Sequence, residues 1–207
     1  MTGPDPAARD LPPVAARFDW GDDLPRLESP RPVLRGVTID DAPALWDIFS
    51  DPEVTRYWSS PAYTDPRQAA ELVREIEELF AERTLFQWDI ARREDDRVVG
   101  TATIFQLEPY NLRAEVGFAL GRAAWGQGLM REALTALFDF AFDTLALHRL
   151  EADVDPRNER CLRLLEGHGF RREGLLRERH HVAGEIQDSV ILGLLAGEWR
   201  TRHDASG

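Results

Sequence analysis

Hydrophobic and polar positions alternate between two periods along the chain. Strand-type patterning marks Val33–Val37, Leu85–Ala91, Arg97–Leu107, Glu115–Leu120 and Leu150–Val154. Helical spacing marks about Ala42–Ser50, the acidic stretch about Pro66–Arg83, and the run that carries Leu134, Leu137, Phe138, Ala141, Phe142 and Leu145. A further helix is predicted to begin near the cap Asn158 and to end at Gly169, and two last strands fall around Arg171–His181 and Ser189–Leu195. Thr64 and Asp65 are capping candidates for the acidic helix, Arg92–Asp96 reads as a hairpin turn, and Tyr57-Trp58 lies in a loop. The order strand, two helices, three strands, helix, strand, helix, two strands predicts an α/β chain: one mixed sheet with helices on both faces and no internal repeat.

The junction between the strand Glu115–Leu120 and the following helix carries the most chemistry. Residues Gly121–Glu132 read Gly-Arg-Ala-Ala-Trp-Gly-Gln-Gly-Leu-Met-Arg-Glu, with two glycines bracketing one residue at the hand-over. The backbone N–H groups of residues 126 to 130 lack intrahelical partners, glycine lets a ligand approach closely, and the helix dipole favours negative charge. A diphosphate suits such a cradle. No Gly-Lys-Ser/Thr follows, so it is not a P-loop, and Arg131 stands where a dinucleotide fingerprint has its third glycine. A second unit, Asp155–Phe170, turns a strand at Pro156 into the helix that Asn158 caps and Gly169 stops.

On these two units the chain resembles the GNAT superfamily of N-acetyltransferases, in particular the branch of the ribosomal-protein alanine and serine N-terminal acetyltransferases. The resemblance extends over Pro32-Val-Leu-Arg-Gly-Val37, Asp51-Pro-Glu-Val54, Val98-Val-Gly-Thr101, Ala114-Glu-Val-Gly-Phe118, the cradle, Asn158…Gly169-Phe170, Gly184-Glu185 and Asp188. Two positions depart from the family: its Gln or Arg three residues before the first cradle glycine is Ala123, and its late tyrosine in the second helix is Leu165.

The resemblance implies a mixed, mostly antiparallel sheet whose central parallel strands splay into a V-shaped opening, with acetyl-CoA as acetyl donor. The pantetheine arm would run along Val116, Gly117, Phe118, Ala119 and Leu120, with Asn158 facing it. The diphosphate would reach the N–H groups of Gly126, Gln127, Gly128, Leu129 and Met130 beside Trp125. Arg122, Arg131, Arg160 and Arg163 are candidates for the ribose 3′-phosphate, or are solvated surface arginines.

The implied chemistry is direct attack of an amine on the thioester. A backbone N–H near Phe118 would hold the oxyanion. Cys161 falls where close relatives carry a serine suspected of general-acid work; its other reading is a small core residue beside the cofactor. Glu115, Asp153 and His180 are the candidate bases, and ion pairs on a sheet or an exposed loop are the alternative readings. An α-amino group, with pKa about 7.7–8.0, needs far less help to lose its proton than a lysine amine at about 10.4, which points to a protein N-terminus as acceptor. Small amines remain the alternative, and a non-catalytic acyl-CoA sensor is the competing class.

Composition narrows the partners. The 207 residues suit one domain, and 43% hydrophobic with 30% charged residues is ordinary for a globular chain. A net charge of −12 argues against direct nucleic-acid or anionic-membrane binding. No apolar run nears the roughly 18 residues of a membrane helix, so a cytoplasmic location is expected, as a monomer or homodimer. The five histidines show no metal-ligand spacing, and no metal is expected. Six of the thirteen prolines lie in the first thirty residues, read as a flexible leader over 1–30 before a domain over 31–200 and a flexible tail over 201–207.

Overall fold

The computed structural model describes residues 23–204. Eight strands form one sheet: β1 (Leu27–Glu28), β2 (Pro32–Gly36), β3 (Leu85–Arg92), β4 (Val98–Glu108), β5 (Arg113–Leu120), β6 (Arg149–Val154), β7 (Arg171–Val182) and β8 (Glu185–Leu195). Their order in space is β1-β2-β3-β4-β5-β6-β8-β7. Every neighbouring pair is antiparallel except β5 and β6, which run parallel. The helices are α1 (Ala42–Phe49), α2 (Pro52–Thr55), α3 (Arg67–Ala81), α4 (Leu129–Asp139), α5 (Glu159–His168) and α6 (Ala196–Asp204). The mixed α/β class expected from the sequence is the one observed.

Two apolar cores cover the two faces. The larger joins Phe86, Trp88, Ile104, Ala114, Val116, Leu150 and Ala152 of the sheet to Leu134, Leu137 and Phe138 of α4, Leu162 and Leu165 of α5, and Trp199 of α6. Alternation then sends Glu115, Gly117 and Ala119 to the other face, where Ala119 meets Leu45 and Ile48 of α1 and Ala69 and Val73 of α3. The end of α4 widens into a π-turn, Phe140–Thr144, which keeps Phe140, Ala141 and Phe142 buried.

Three expectations are corrected. The leader does not extend to residue 30: Leu27 and Glu28 pair with Leu34 and Val33 as an edge strand, and the Pro25 carbonyl accepts the Trp88 indole N–H at 2.8 Å. Trp88 is fully buried, so its N–H needs that acceptor, and losing it would cost about 1–3 kcal/mol. Residues 1–22 of the expected leader lie outside the described residues. Residues 201–204 of the expected tail belong to α6, which carries the buried Trp199; 205–207 lie outside the described residues. Asp65 does cap α3 by accepting from the Arg67 N–H at 2.9 Å, but at Thr64 it is the backbone N–H that donates to Gln68, at 2.8 Å, and the helix cap proper is Pro66. The glycine-free hairpin turn closes because Asp96 adopts a left-handed φ of 55°.

Candidate active site

The opening arises where parallel pairing stops. β5 and β6 pair at Arg113↔Arg149, Ala114↔Leu150 and Glu115↔Glu151 and no further. Val116–Leu120 therefore lies beyond the last pair on β5, while the rest of β6, Ala152–Val154, pairs only with β8. Phe118, the expected oxyanion position, sits on this length, which pairs with β4 on one side and is left open by β6 on the other, and packs partly against the larger core. The Leu120 carbonyl is already taken by the Trp125 indole N–H at 2.6 Å, and the Arg160 guanidinium lies 5.0 Å from the Trp125 ring centre.

The cradle follows at once. Gly126 and Gly128 take φ of 73° and 80°, the left-handed region that side chains avoid, and Gly128 is the cap residue of α4. Space beside Gly126 is open, with no heavy atom within 4 Å of where a Cβ would be. The Glu132 N–H bonds the Gly128 carbonyl at 3.3 Å, so the N–H groups at Leu129 and Met130 precede the first intrahelical bond of α4. Their side chains are buried, which limits them to backbone roles. Gln127 braces the loop by donating from Nε2 to the Ala123 carbonyl at 2.9 Å. These features fit an extended diphosphate-bearing ligand. A cleft of about 310 Å³ flanks the cradle between α1 and the β3–β4 hairpin, walled by Ile48, Val98 and Val99 and rimmed by Arg92, Arg97 and Arg122.

Across the opening, Asn158 caps α5 with its side-chain oxygen on the Cys161 N–H at 3.2 Å. Cys161 packs against the larger core, and burial pushes its thiol up to about 12. Such a thiol stays protonated and can offer a hydrogen bond but is a poor proton donor. Of the four arginines named for the 3′-phosphate, Arg122 pairs with Asp51 at 2.9 Å, Arg163 with Glu159 at 2.9 Å, Arg160 lies over Trp125, and Arg131 reaches toward Gly167.

The three candidate bases have unlike surroundings. Asp153 is crowded with donors: Arg179 Nε at 2.7 Å, the Ser189 hydroxyl, and His180 Nε2 at 3.3 Å when that nitrogen carries a proton. Glu115 is half-buried on the same sheet face, and its carboxylate has no hydrogen bond or ion pair among the described residues. Burial first, and then the charge of Asp153, raises its pKa above the usual carboxylate range. His180 leans on Asp153 from β7, a strand where a loop was the alternative reading. Beside this cluster Arg157 ties three elements together: it pairs with Asp155 at 2.6 Å and Glu185 at 2.5 Å and lies 5.7 Å from the Tyr57 ring centre. Ser189, Arg179 and Arg157 escaped the sequence reading because their partners are 26 to 36 positions away or on another hairpin. No group of His, Cys, Asp and Glu among the described residues is arranged to hold a metal. No helix among them is long and apolar enough to cross a membrane.

Residues 31–171 match the model of the acetyltransferase (GNAT) domain. The chain is 37% identical to an uncharacterized N-acetyltransferase, p20, of Bacillus licheniformis, over 84% of this chain and 97% of that one. It is 26% identical to the ribosomal protein uS5-alanine N-acetyltransferase of Escherichia coli, over 88% and 97% of the two chains. The fold superposes with a TM-score of 0.72 on the spermidine N-acetyltransferase of Vibrio cholerae solved with CoA and spermine, at 20% identity, covering 81% of this chain and 96% of that one. The chain belongs to the GNAT family, and it is an N-acetyltransferase built on a fold that uses acetyl-CoA.

Proposed function

We propose that this enzyme moves the acetyl group of acetyl-CoA to the α-amine of a protein N-terminus, with Glu115 taking the proton that the amine loses. The observation that carries the reading is Glu115 itself: a half-buried carboxylate, on the strand that borders the opening, with no hydrogen-bond partner among the described residues and a raised affinity for protons. In one step the nitrogen lone pair bonds to the thioester carbon, the backbone N–H near Phe118 receives the developing negative oxygen, and the C–S bond then breaks to release the thiolate. The amine proton passes to Glu115, directly or through water.

A base of this strength suits an α-amine, which is already partly neutral near pH 7, better than a lysine amine. The printed acceptor of the Escherichia coli relative is the alanine N-terminus of a ribosomal protein, which agrees. Val116–Leu120, the cradle and Asn158 would hold the donor, while Asp153, locked by three donors, orients His180 and Arg179 instead of acting as base. The test is release of free CoA with short peptides bearing alanine or serine at a free N-terminus, the same peptides blocked at the N-terminus, a peptide whose only amine is a lysine side chain, and spermidine. Transfer to the free N-terminal peptides alone is expected; transfer confined to spermidine or to the lysine peptide overturns the reading.

A further inference from the structure

We propose that Arg31, which no motif singles out, is the cation that completes the diphosphate cradle, held at the start of α4 by Glu132. The proposal rests on the acetyl-CoA reading above. Arg31 lies immediately before β2, and its backbone is fixed on both sides. Its N–H donates to Glu132 Oε2 at 3.0 Å and its carbonyl accepts from the Arg93 N–H at 3.0 Å. The side chain closes a second contact with the same carboxylate, Nε at 2.8 Å and Nη2 at 2.5 Å from Glu132 Oε1. Three bonds to one carboxylate leave the guanidinium little freedom, although about half of the side chain remains exposed.

Position gives the arrangement its meaning. Arg31 Nη2 lies 3.0 Å from the point that a Cβ on Gly128 would occupy. Glycine at 128 thus serves the left-handed turn and also makes room for a guanidinium beside the first turn of α4. A cation at the N-terminus of a helix opposes the helix dipole. Glu132 offsets that cost, and the Arg31 guanidinium in turn holds the Glu132 carboxyl below its usual range. The Nη1 hydrogens and the second Nη2 hydrogen have no partner among the described residues, and Nη2 lies by Gly128, the cap residue that precedes the N–H groups of Leu129 and Met130. A diphosphate reaching those N–H groups meets a planar, preorganised fork of donors that matches phosphate oxygens. Of the arginines named from the sequence, Arg122 pairs with Asp51, Arg163 with Glu159, and Arg160 lies over the Trp125 ring. A plain tie between β2 and α4 would use the same ion pair, and ligand series separates the two roles.

The experiment measures the affinity of the full chain and its variants by calorimetry for CoA, for 3′-dephospho-CoA, and by competition for pantetheine, with melting of the ligand-free protein alongside. Arg31→Met is expected to weaken CoA and 3′-dephospho-CoA alike, by about 10–100-fold, and to leave pantetheine unchanged. Arg31→Lys should recover part of the loss, since it restores charge without the fork. Should the methionine variant fail to fold, Arg31→Gln keeps a donor toward Glu132 without the charge and takes its place. Loss for CoA but not for 3′-dephospho-CoA would assign Arg31 to the 3′-phosphate and overturn the proposal. Equal loss for pantetheine, or no loss at all, would reduce the residue to a structural tie. A parent protein that binds none of the three ligands would instead remove the acetyl-CoA reading itself.

Discussion

The two ends of the opening between β5 and β6 are made of different material. The end proposed for the donor is mostly backbone: a strand edge that β6 leaves open, two left-handed glycines, and the N–H groups at the start of one helix, all within about fifteen residues of sequence. The end proposed for the amine is all side chains, with Glu115 from β5, Asp153 from β6, Arg179 and His180 from β7 and Ser189 from β8. A backbone site tolerates most changes of side chain and is broken by adding a Cβ. A side-chain site tolerates changes of bulk nearby and is broken by removing one charge.

The sharpest way to separate the two ends is Glu115→Gln. Turnover is expected to fall by roughly 10²–10³-fold, within the range that general-base assistance supplies, while CoA affinity measured by calorimetry stays at the parent value. On the proposed reading Glu115 acts in its ionised form, so parent activity should rise with pH through its raised pKa, and that limb should vanish in the variant. His180→Gln should cost less than about tenfold, since the imidazole only adds to a carboxylate already held by Arg179 and Ser189. The reverse ranking, with His180→Gln abolishing turnover and Glu115→Gln harmless, would make the histidine the base.

Gly128→Val attacks the other end. A β-branched residue at φ 80° is strained, and its Cβ would meet Arg31 Nη2. CoA affinity is expected to drop by roughly 10²-fold with only a modest fall in melting temperature. Unchanged affinity in a folded protein would show that the donor does not use this cradle.

The smallest effect on turnover belongs to neither end and serves as a control. Asp89 of β3 is fully buried on the α1/α3 face, with neither oxygen hydrogen-bonded, opposite Arg35 on β2 and near Asp41. Burial, then the charge of Asp41, pushes its pKa up to about 8, with Arg35 pulling the other way. A carboxyl that binds its proton more tightly when folded contributes stability in full below its unfolded pKa, near 4, and loses that contribution as pH rises toward 8. Melting followed across pH 5–9 should show the parent losing stability relative to Asp89→Asn as pH increases, by a few kcal/mol at most, with turnover at pH 7 unchanged. A parallel pH course in both proteins would mean that Asp89 ionises in the fold at little cost.

The same contrast explains what the sequence made legible. Strand and helix positions were readable wherever a long periodic run met a cap or a glycine, as at β5–α4 and at Asn158…Gly169, because those signals are local. β1 and α6 were missed: two residues of edge strand carry no period, and α6 has almost no amphipathic contrast, being fixed by Trp199 inserted beside Phe138 and Phe142. The glycine turn and the helix start that it opens were legible as local signals, whereas the Arg31–Glu132 contact was not, since it spans 101 positions. Glu115, Asp153 and His180 were all named as candidate bases, with Glu115 expected to matter more than His180, but no contact of any of them was legible. Their surroundings in the fold distinguish them, one carboxylate without hydrogen-bond partners among the described residues and the other surrounded by donors.

The short parallel contact also has a thermodynamic meaning. Strands β1–β5 and β6–β8 form two antiparallel blocks that share three register pairs and a common apolar core. A donor lying along the free edge of β5 and against the start of α5 spans that joint, and every contact it makes to both blocks exists only when they are assembled. Occupancy and folding are then linked equilibria: at a ligand concentration a hundredfold above its dissociation constant, the assembled form gains about 2.7 kcal/mol. On the proposed placement the cosubstrate would act as a removable part of the sheet, and the resistance of the chain to unfolding would become a function of how much of it is present.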